Sequence, residues 1–286
     1  MDAYLIPAVD GVAYGLVLAV AAAGLTLAFG AGGVLNLAHG TVLAAGGYVA
    51  AATSSGTWPS LLWAVLAASA VGAAGGGVLA AATAALTGRG HLDQALLTFG
   101  VALIGADLLT TVYGVDVRRP RVPAALETTL TVGGHRYPAD RLAVLATAVV
   151  IAALGYVVLH RTRAGRLVRA TVDDRAMVAG IGVHPRLVDA TVLTASGALA
   201  GLAGALCTPI LGVGPGTAET ALLLSLIIVV CGGLGSVPGA VTAAIGVGMV
   251  QTVGVVTMPA LAPYLLVGAM AMVLLTRRAP LSGVRG

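Results

Sequence analysis

Two glycine-rich stretches interrupt apolar sequence and contain the polar side chains best placed for chemistry. The first, 29–40, includes Asn36 and His39, and the second, 232–240, includes three glycines before Ser236. Irregular backbone inside a bilayer must be buried in protein or line a wet cavity, and broken helices in both halves of a chain often mark a transport pathway. Tight turns between neighbouring spans are the alternative. The candidate pathway residues are Asn36, His39, Gly40, Gly233 and Gly235.

Other chemistry is poorly represented. Asp107 is the deepest carboxylate, but it lies near the end of its apolar stretch, so interfacial pairing competes with a role in ion-driven transport. Cys207 and Cys231 lack metal-ligand spacing, and neither H-E-x-x-H nor G-x-S-x-G occurs. The chain has no lysine, which excludes the phosphate loop of an ATPase. The sequence therefore predicts neither an enzyme nor a bound metal or cofactor.

An arginine-rich segment, 161–186, is the strongest topological feature of the chain. Arginine in short loops favours the cytoplasmic side. The pattern Thr171-x-x-Asp174 predicts a capped helix starting near Val172, which Gly182 would end. Such a helix suggests docking to a cytoplasmic partner, although binding to anionic lipid is an alternative. The arginines of the segment are Arg161, Arg163, Arg166, Arg169, Arg175 and Arg186.

The composition indicates that membrane helices hold these polar and arginine-rich segments in position. Hydrophobic residues make up 58% of the 286 residues, charged residues only 9%, and 41 are glycine. A soluble core could not bury this much apolar surface. We therefore predict an all-α, polytopic transmembrane bundle of eight or nine spans forming one domain, 1–286. The predicted spans are 8–29, 31–52, 60–86, 91–113, 140–160, 187–207, 217–237, 239–258 and 263–276.

Loop charge predicts the orientation of this bundle. Even numbers of spans separate the segment 161–186 from Arg89 and from Arg277, so all three can be cytoplasmic together with Arg278 and Arg285. Residues 114–139, a predicted loop or short hairpin, then lie outside, despite their own arginines. The basic pI of about 9.4 thus reflects topology rather than nucleic-acid binding. Within the spans, pairs such as Gly72-x-x-x-Gly76 and Gly197-x-x-x-Gly201 predict close helix packing.

Several motifs resemble those of LivH-type permeases, the membrane subunits of branched-chain amino-acid ABC importers. They occur in the order of that family. Three departures, Ala176-Met177-Val178 after Asp-Arg, Ala243 and Ala279, leave the substrate open, since related permeases serve other amino acids, urea or short amides. The matching runs are Gly24-Leu25-Thr26-Leu27-x-Phe29-Gly30, Asn36-x-Ala38-His39-Gly40, Arg169-Ala170-x-x-x-Asp174-Arg175, Gly232-Gly233-x-Gly235-Ser236 and Arg278-Ala279-Pro280-Leu281.

This resemblance implies a permease of a bacterial inner membrane that is powered by separate cytoplasmic ABC ATPase subunits. It also implies an extracytoplasmic substrate-binding protein and a second, homologous permease chain, within membrane lipid. An ion-coupled secondary transporter and a structural or regulatory membrane protein are the rival functions. The segment 161–186 resembles the family's coupling segment. The predicted coupling residues are Arg169, Asp173, Asp174, Arg175 and Gly182.

Overall fold

Helices form most of the computed structural model, which describes residues 2–32, 35–86, 90–132, 135–233 and 235–276. Four arginines that were predicted to be cytoplasmic lie outside the described residues: Arg89, Arg277, Arg278 and Arg285. The motif that begins at Arg278 lies outside them too. The helices are α1 Asp2–Gly32, α2 His39–Thr53, α3 Trp58–Ala84, α4 His91–Tyr113, α5 Ala139–Arg161, α6 Arg163–Asp173, α7 Arg175–Gly180, α8 Pro185–Leu211, α9 Thr217–Gly232, α10 Val237–Thr257 and α11 Ala262–Thr276.

Six of the described helices are long and apolar enough to cross a bilayer, namely α1, α3, α4, α5, α8 and α10. The predicted stretches 31–52 and 217–237 yield shorter helices, α2 with 15 residues and α9 with 16. At 1.5 Å per residue such helices reach only about 24 Å, less than the ~30 Å of a hydrocarbon core. The all-α membrane architecture is thus confirmed, whereas the count of eight or nine spans is not.

Two helices form the centre of the bundle. In their most apolar windows, 67% of α1 and 56% of α8 is buried, against 6% of α4 and 11% of α5. Glycines allow this packing: a Cβ on Gly72 of α3 would overlap the carbonyl oxygen of Gly197 of α8, and a Cβ on Gly197 would overlap that of Gly72. The predicted small-residue contacts therefore bring α3 and α8 together.

The segment between α4 and α5 forms the predicted hairpin. Strands β1 Thr129–Val132 and β2 His135–Pro138 pair antiparallel, with Leu130 opposite Tyr137. The preceding chain crosses the end of α8, where the Arg118 N–H donates to the Val213 oxygen at 2.8 Å. The two strands of this hairpin are the named β-strands of the described residues, and the other named elements are helices.

The arginine-rich segment folds into two short helices rather than the single helix predicted. Thr171 is not a cap: it is buried inside α6, and its hydroxyl donates to the Leu167 oxygen at 2.9 Å. Thr162 caps α6 instead, and Asp174 caps α7 by accepting from the Met177 N–H at 2.8 Å. The prediction of a helix start near Val172 was wrong because Asp174 has extended backbone, which ends one helix and begins the next.

Gly182 ends α7 as predicted. Its φ is +87°, a conformation that favours glycine. The N–H of Gly182 donates to Ala179 O at 3.1 Å and that of Val183 to Val178 O at 3.3 Å. These two bonds form a Schellman motif. The chain then turns directly into α8, which starts at Pro185.

Candidate functional site

The described residues between α1 and α2, 35–38, form a break that contains Asn36 and leads directly into His39. Asn36 is 2% exposed and His39 is fully buried. The Asn36 Oδ1 accepts from the Ala38 N–H at 3.1 Å, and the His39 N–H donates to the Asn36 carbonyl oxygen at 3.3 Å. The two side chains, which sequence spacing suggested could bond each other, have different partners. Asn36 acts as a local turn-former that starts α2.

The ring of His39, on α2, binds α1 beside a contact between α1 and α8. Its Nε2 lies 2.8 Å from the Ala21 carbonyl oxygen of α1, and a Cβ on Gly24 would lie 2.9 Å from its Cε1. Ser196 of α8 donates its hydroxyl proton to the Gly24 oxygen at 2.6 Å. The imidazole therefore lies beside the place where Ser196 of α8 binds Gly24 of α1, and it needs a glycine at position 24 to fit.

Thr98 of α4 also binds the main chain of this break, a role that no sequence pattern indicated. Its hydroxyl lies 3.0 Å from the Leu35 oxygen and accepts from the Leu37 N–H at 3.2 Å. Thr98 is 1% exposed. A neighbouring helix thus pairs the main-chain groups that the break frees, as a low-dielectric interior requires. A single threonine in an apolar stretch cannot be distinguished by sequence from one that bonds its own helix.

The second glycine-rich stretch meets the first. Gly233 and Gly235 have φ angles of +96° and +78°, and a Cβ on Gly30 would lie 2.8 Å from the Gly235 Cα. Gly40 lies away from this contact, where a Cβ would overlap the Ala218 oxygen of α9. Asn36 and His39 are therefore buried polar residues, Gly40 and Gly235 are positions of close backbone approach, and Gly233 is the positive-φ glycine that ends α9.

A cavity of about 470 Å³ lies between α1, α2, α8, α9 and α10. None of the five predicted pathway residues lines it, but Ala21, the partner of His39, does. The cavity surrounds the end of α8 that is farthest from the arginine-rich segment, about 40 Å along that helix. Its polar lining was not predicted from the sequence patterns, although an amide inside a span is a detectable feature. The polar lining residues include Tyr14, Thr208, Thr217, Thr220 and Gln251.

A second cavity of about 300 Å³ adjoins the first and holds an ion pair. The Arg141 Nη1 lies 2.6 Å from Asp10 Oδ2, and the Tyr137 hydroxyl donates to Asp10 Oδ1 at 2.6 Å. Burial, then the hydrogen bond to Asp10, raises the pKa of Tyr137, which keeps the phenol protonated. Tyr14, Leu211 and Gln251 line both cavities, so the two spaces share a wall.

Asp107 lies apart from these cavities, exposed on the outer face of α4. The two ion pairs among the described residues use other carboxylates, Asp10 and Asp189. Within that same part of the chain, no group of three or more His, Cys, Asp or Glu is placed to hold a metal ion.

The predicted coupling arginines bind the neighbouring long helices. The Arg169 guanidinium donates to the Leu159 oxygen of α5 and to His160 Nδ1, the latter at 3.3 Å. Arg175, on α7, forms an ion pair with Asp189 of α8. Both arginines therefore connect the short helices to α5 and α8.

Thr171 and Val178 of this segment are buried, but many of its other side chains are exposed. Asp173 is exposed, and Asp174 is an exposed helix cap. Large apolar side chains that are more than half exposed lie among the arginines, which is typical of an interaction surface. They are Val172, Met177, Ile181 and Leu187.

Comparison with known proteins identifies the family. A family model described as "Branched-chain amino acid transport system / permease component" matches residues 8–275. The high-affinity branched-chain amino acid transport system permease protein BraD of Pseudomonas aeruginosa is 25% identical over 268 residues, covering 88% of this chain and 86% of that protein. The corresponding LivH proteins of Salmonella typhimurium and Escherichia coli are 26% identical over 259 residues, covering 85% of this chain and 83% of each relative.

No solved structure matches the chain. The sequence resemblance to LivH-type permeases is confirmed, since the family model covers nearly all of the described bundle. This protein belongs to the family of branched-chain amino acid transport system permease components.

Proposed function

We propose that this chain is the membrane-spanning permease subunit of an ATP-driven importer of branched-chain or related small amino acids. The observation that supports it most directly is the 470 Å³ cavity between the helices of a chain in this family. Its volume is in the range of small-molecule sites, ~300–1,000 Å³. It has apolar walls and several hydroxyl and amide groups, and no charged residue lines it.

Energy for transport comes from a separate ATPase in this proposal. The chain has no lysine with which to build a phosphate loop, and Asp107 lies outside the cavities. The partners are cytoplasmic ABC ATPase subunits, a second homologous permease chain and an extracytoplasmic binding protein, assembled in a bacterial inner membrane. The permease is a single domain, 1–286.

Uptake into vesicles tests this function. The chain is co-reconstituted with its ATPase, second permease and binding protein, and labelled leucine is added with ATP on the cytoplasmic side. We expect ATP-dependent accumulation that stops when the ATPase carries an inactivating substitution. Uptake by this chain alone, driven by an ion gradient, would establish a secondary transporter instead. Absence of flux with every partner present would leave a structural or regulatory role, and competition by urea or acetamide but not leucine would reassign the cargo.

Asn36, His39, Gly40, Gly233 and Gly235 brace the pathway in this proposal. His39 holds the Ala21 carbonyl, and Ala21 belongs to the cavity wall. The contact between Gly30 and Gly235 joins the ends of α1 and α10 on the side of the arginine-rich segment. Movements at that end can therefore be passed along α1 to the cavity.

The arginine-rich segment docks onto the ATPase in this proposal, with residues 161–186 cytoplasmic and 114–139 outside. Its exposed apolar side chains supply the contact area, and Asp173 is free to meet a basic group. Arg169 and Arg175 pass the movement to α5 and α8 through the bonds described above. Asp174 and Gly182 fix the two ends of α7. Binding of this surface to anionic lipid is the competing proposal.

A further inference from the structure

The geometry points to a recognition site for the charged groups of a free amino acid, formed by Asp10 and Arg141 in the 300 Å³ cavity. This inference rests on the proposed function, and it identifies where the permease would first recognise its substrate. Asp10 would bind the α-ammonium group and Arg141 the α-carboxylate, while the aliphatic side chain lies against Ile210 and Leu211.

The position of the ion pair supports this inference. Asp10 and Arg141 are the only charged residues that line either described cavity. Both lie near the starts of their helices, α1 and α5, at the end of the bundle opposite the arginine-rich segment. A cargo entering from that end reaches the ion pair and, past the shared wall of Tyr14, Leu211 and Gln251, a cavity without charged lining.

Both charged groups have unused bonding capacity. The structure describes one hydrogen bond from the Arg141 guanidinium, which has five N–H donors. Each Asp10 oxygen accepts one described bond, from Arg141 or from Tyr137, although a carboxylate offers about four acceptor sites. The side chains of Arg141 and Asp10 are 38% and 22% exposed. A zwitterion can therefore add to the pair without first dismantling it.

The surroundings match an aliphatic amino acid. Ala13, Ile210 and Leu211 provide apolar surface, and Leu211 is half-exposed. Gln251 and Thr252 place an amide and a hydroxyl in the same cavity. A purely structural pair at this exposure would add little to stability, since water screens exposed ion pairs. Two opposite charges at a cavity are complementary to the ammonium and carboxylate groups of a zwitterionic amino acid.

Protection of a cysteine from labelling tests the site. The full importer is prepared with Cys207→Ala and Cys231→Ala, and Leu211→Cys is added as a reporter. The rate of its modification by a membrane-impermeant thiol reagent is measured with millimolar leucine, with leucinamide, which lacks the carboxylate, and with 4-methylpentanoate, which lacks the ammonium group. We expect leucine to slow labelling and to be roughly tenfold more effective than either analogue, since each lost charge-assisted bond costs at least that factor.

Removing one charge of the pair should remove the advantage of leucine over one of the two analogues. In Arg141→Gln, leucinamide should protect as well as leucine, because only Asp10 remains. In Asp10→Asn, 4-methylpentanoate should protect as well as leucine, because Arg141 is then unpaired. Arg121→Gln is the matched control: Arg121 is exposed, lines neither cavity, and its described contacts are through the main chain. It should keep the wild-type preference.

The outcomes separate this site from the proposed function. ATP-driven leucine uptake is measured on the same preparations before modification and on the importer without any substitution. Uptake by the wild-type importer combined with equal protection by the three ligands, or with preferences unchanged in both variants, would overturn the recognition site and leave the ion pair as a structural contact. No uptake by the wild-type importer would instead count against the proposed function. If Arg141→Gln does not assemble, Asp10→Asn alone tests the site. A purely structural role of Asp10 cannot make 4-methylpentanoate protect as well as leucine.

Discussion

At the scale of single residues, the break between α1 and α2 depends on polar groups that face main-chain atoms. Thr98→Val removes the hydroxyl that pairs Leu35 and Leu37 while keeping the side chain's shape. We expect a loss of about 1–3 kcal/mol of stability, because two partly buried main-chain groups lose their partner. Thr110→Val on the same helix is the control, since Thr110 bonds only its own helix at Ala106. Thermal unfolding of the purified complex measures both, and an equal effect of the two substitutions would contradict this role.

Asn36→Leu tests the polar side chain that the break itself contributes. The substitution removes the acceptor of the Ala38 N–H at the start of α2, so the backbone should shift behind the cavity wall that His39 holds. We expect normal membrane insertion and strongly reduced leucine uptake. Asn36→Asp, which keeps an acceptor at the same position, should retain more activity than Asn36→Leu. Wild-type uptake in Asn36→Leu would reduce this stretch to a simple turn.

Sequence patterns located these polar residues but not their partners. Asn36 and His39 stand out because few polar residues interrupt the apolar stretches, and such residues are buried when helices pack around them. The partner of His39 is only a main-chain oxygen, that of Ala21. Thr98, which binds the main chain of Leu35 and Leu37 in the same break, lies 61 positions from Leu37 in the chain. The pairing of Asp10 with Arg141 was hidden for the same reason, since 131 positions separate them. Contacts of this kind depend on how helices rotate against one another.

At the scale of elements, the two short helices α6 and α7 connect the exposed surface to the long helices. Asp174→Ala should cost about 0.5–2 kcal/mol of local helix stability, because it removes the cap of α7. We expect weaker association with the ATPase in co-purification, or ATP turnover that no longer follows uptake. Unchanged assembly and uptake would favour the lipid-binding alternative for this segment.

The ion pair between α7 and α8 gives a second test of the same connection. Arg175→Glu places two carboxylates together at Asp189, whereas the pair is too exposed to contribute much to folding. We expect stable protein whose ATP turnover is uncoupled from uptake. The charge swap Arg175→Glu with Asp189→Arg should restore coupling, and Arg163→Glu, an exposed change on α6, should leave it intact. A swap that remains uncoupled would instead favour direct contact of Arg175 with the partner.

The end of α7 was the part of these short helices that sequence could predict. Gly182 was correctly predicted to end a helix because positive φ favours glycine. The helix start was wrong by a few residues because Thr171 and Asp174 both match a cap pattern, and only the main-chain conformation selects between them. The long helices are predictable from apolar length, whereas α2 and α9 are shortened where glycines break the chain.

At the scale of the whole molecule, the ends of the bundle have opposite character. One end holds the arginine-rich helices and the contact between Gly30 and Gly235, and the other holds both cavities and the hairpin. Helix α5 runs from the hairpin to α6, so these ends are separated by one long helix of 23 residues. The cavities could not be predicted, because they arise between five helices whose faces are set by packing and not by apolar length.

The orientation of this bundle is the remaining global prediction. The concentration of arginine in 161–186 favours the cytoplasm for that end, which places the cavity mouths and the ion pair of Asp10 outside. Two matched reporters test it in the background that lacks Cys207 and Cys231: Ala176→Cys on α7 and Ala125→Cys before the hairpin, both exposed. In intact cells an impermeant thiol reagent should label only Ala125→Cys, and permeabilised cells should show labelling of both. Labelling of Ala176→Cys from outside would invert the bundle, place the arginine-rich surface beyond reach of an ATPase, and turn both cavities toward the cytoplasm.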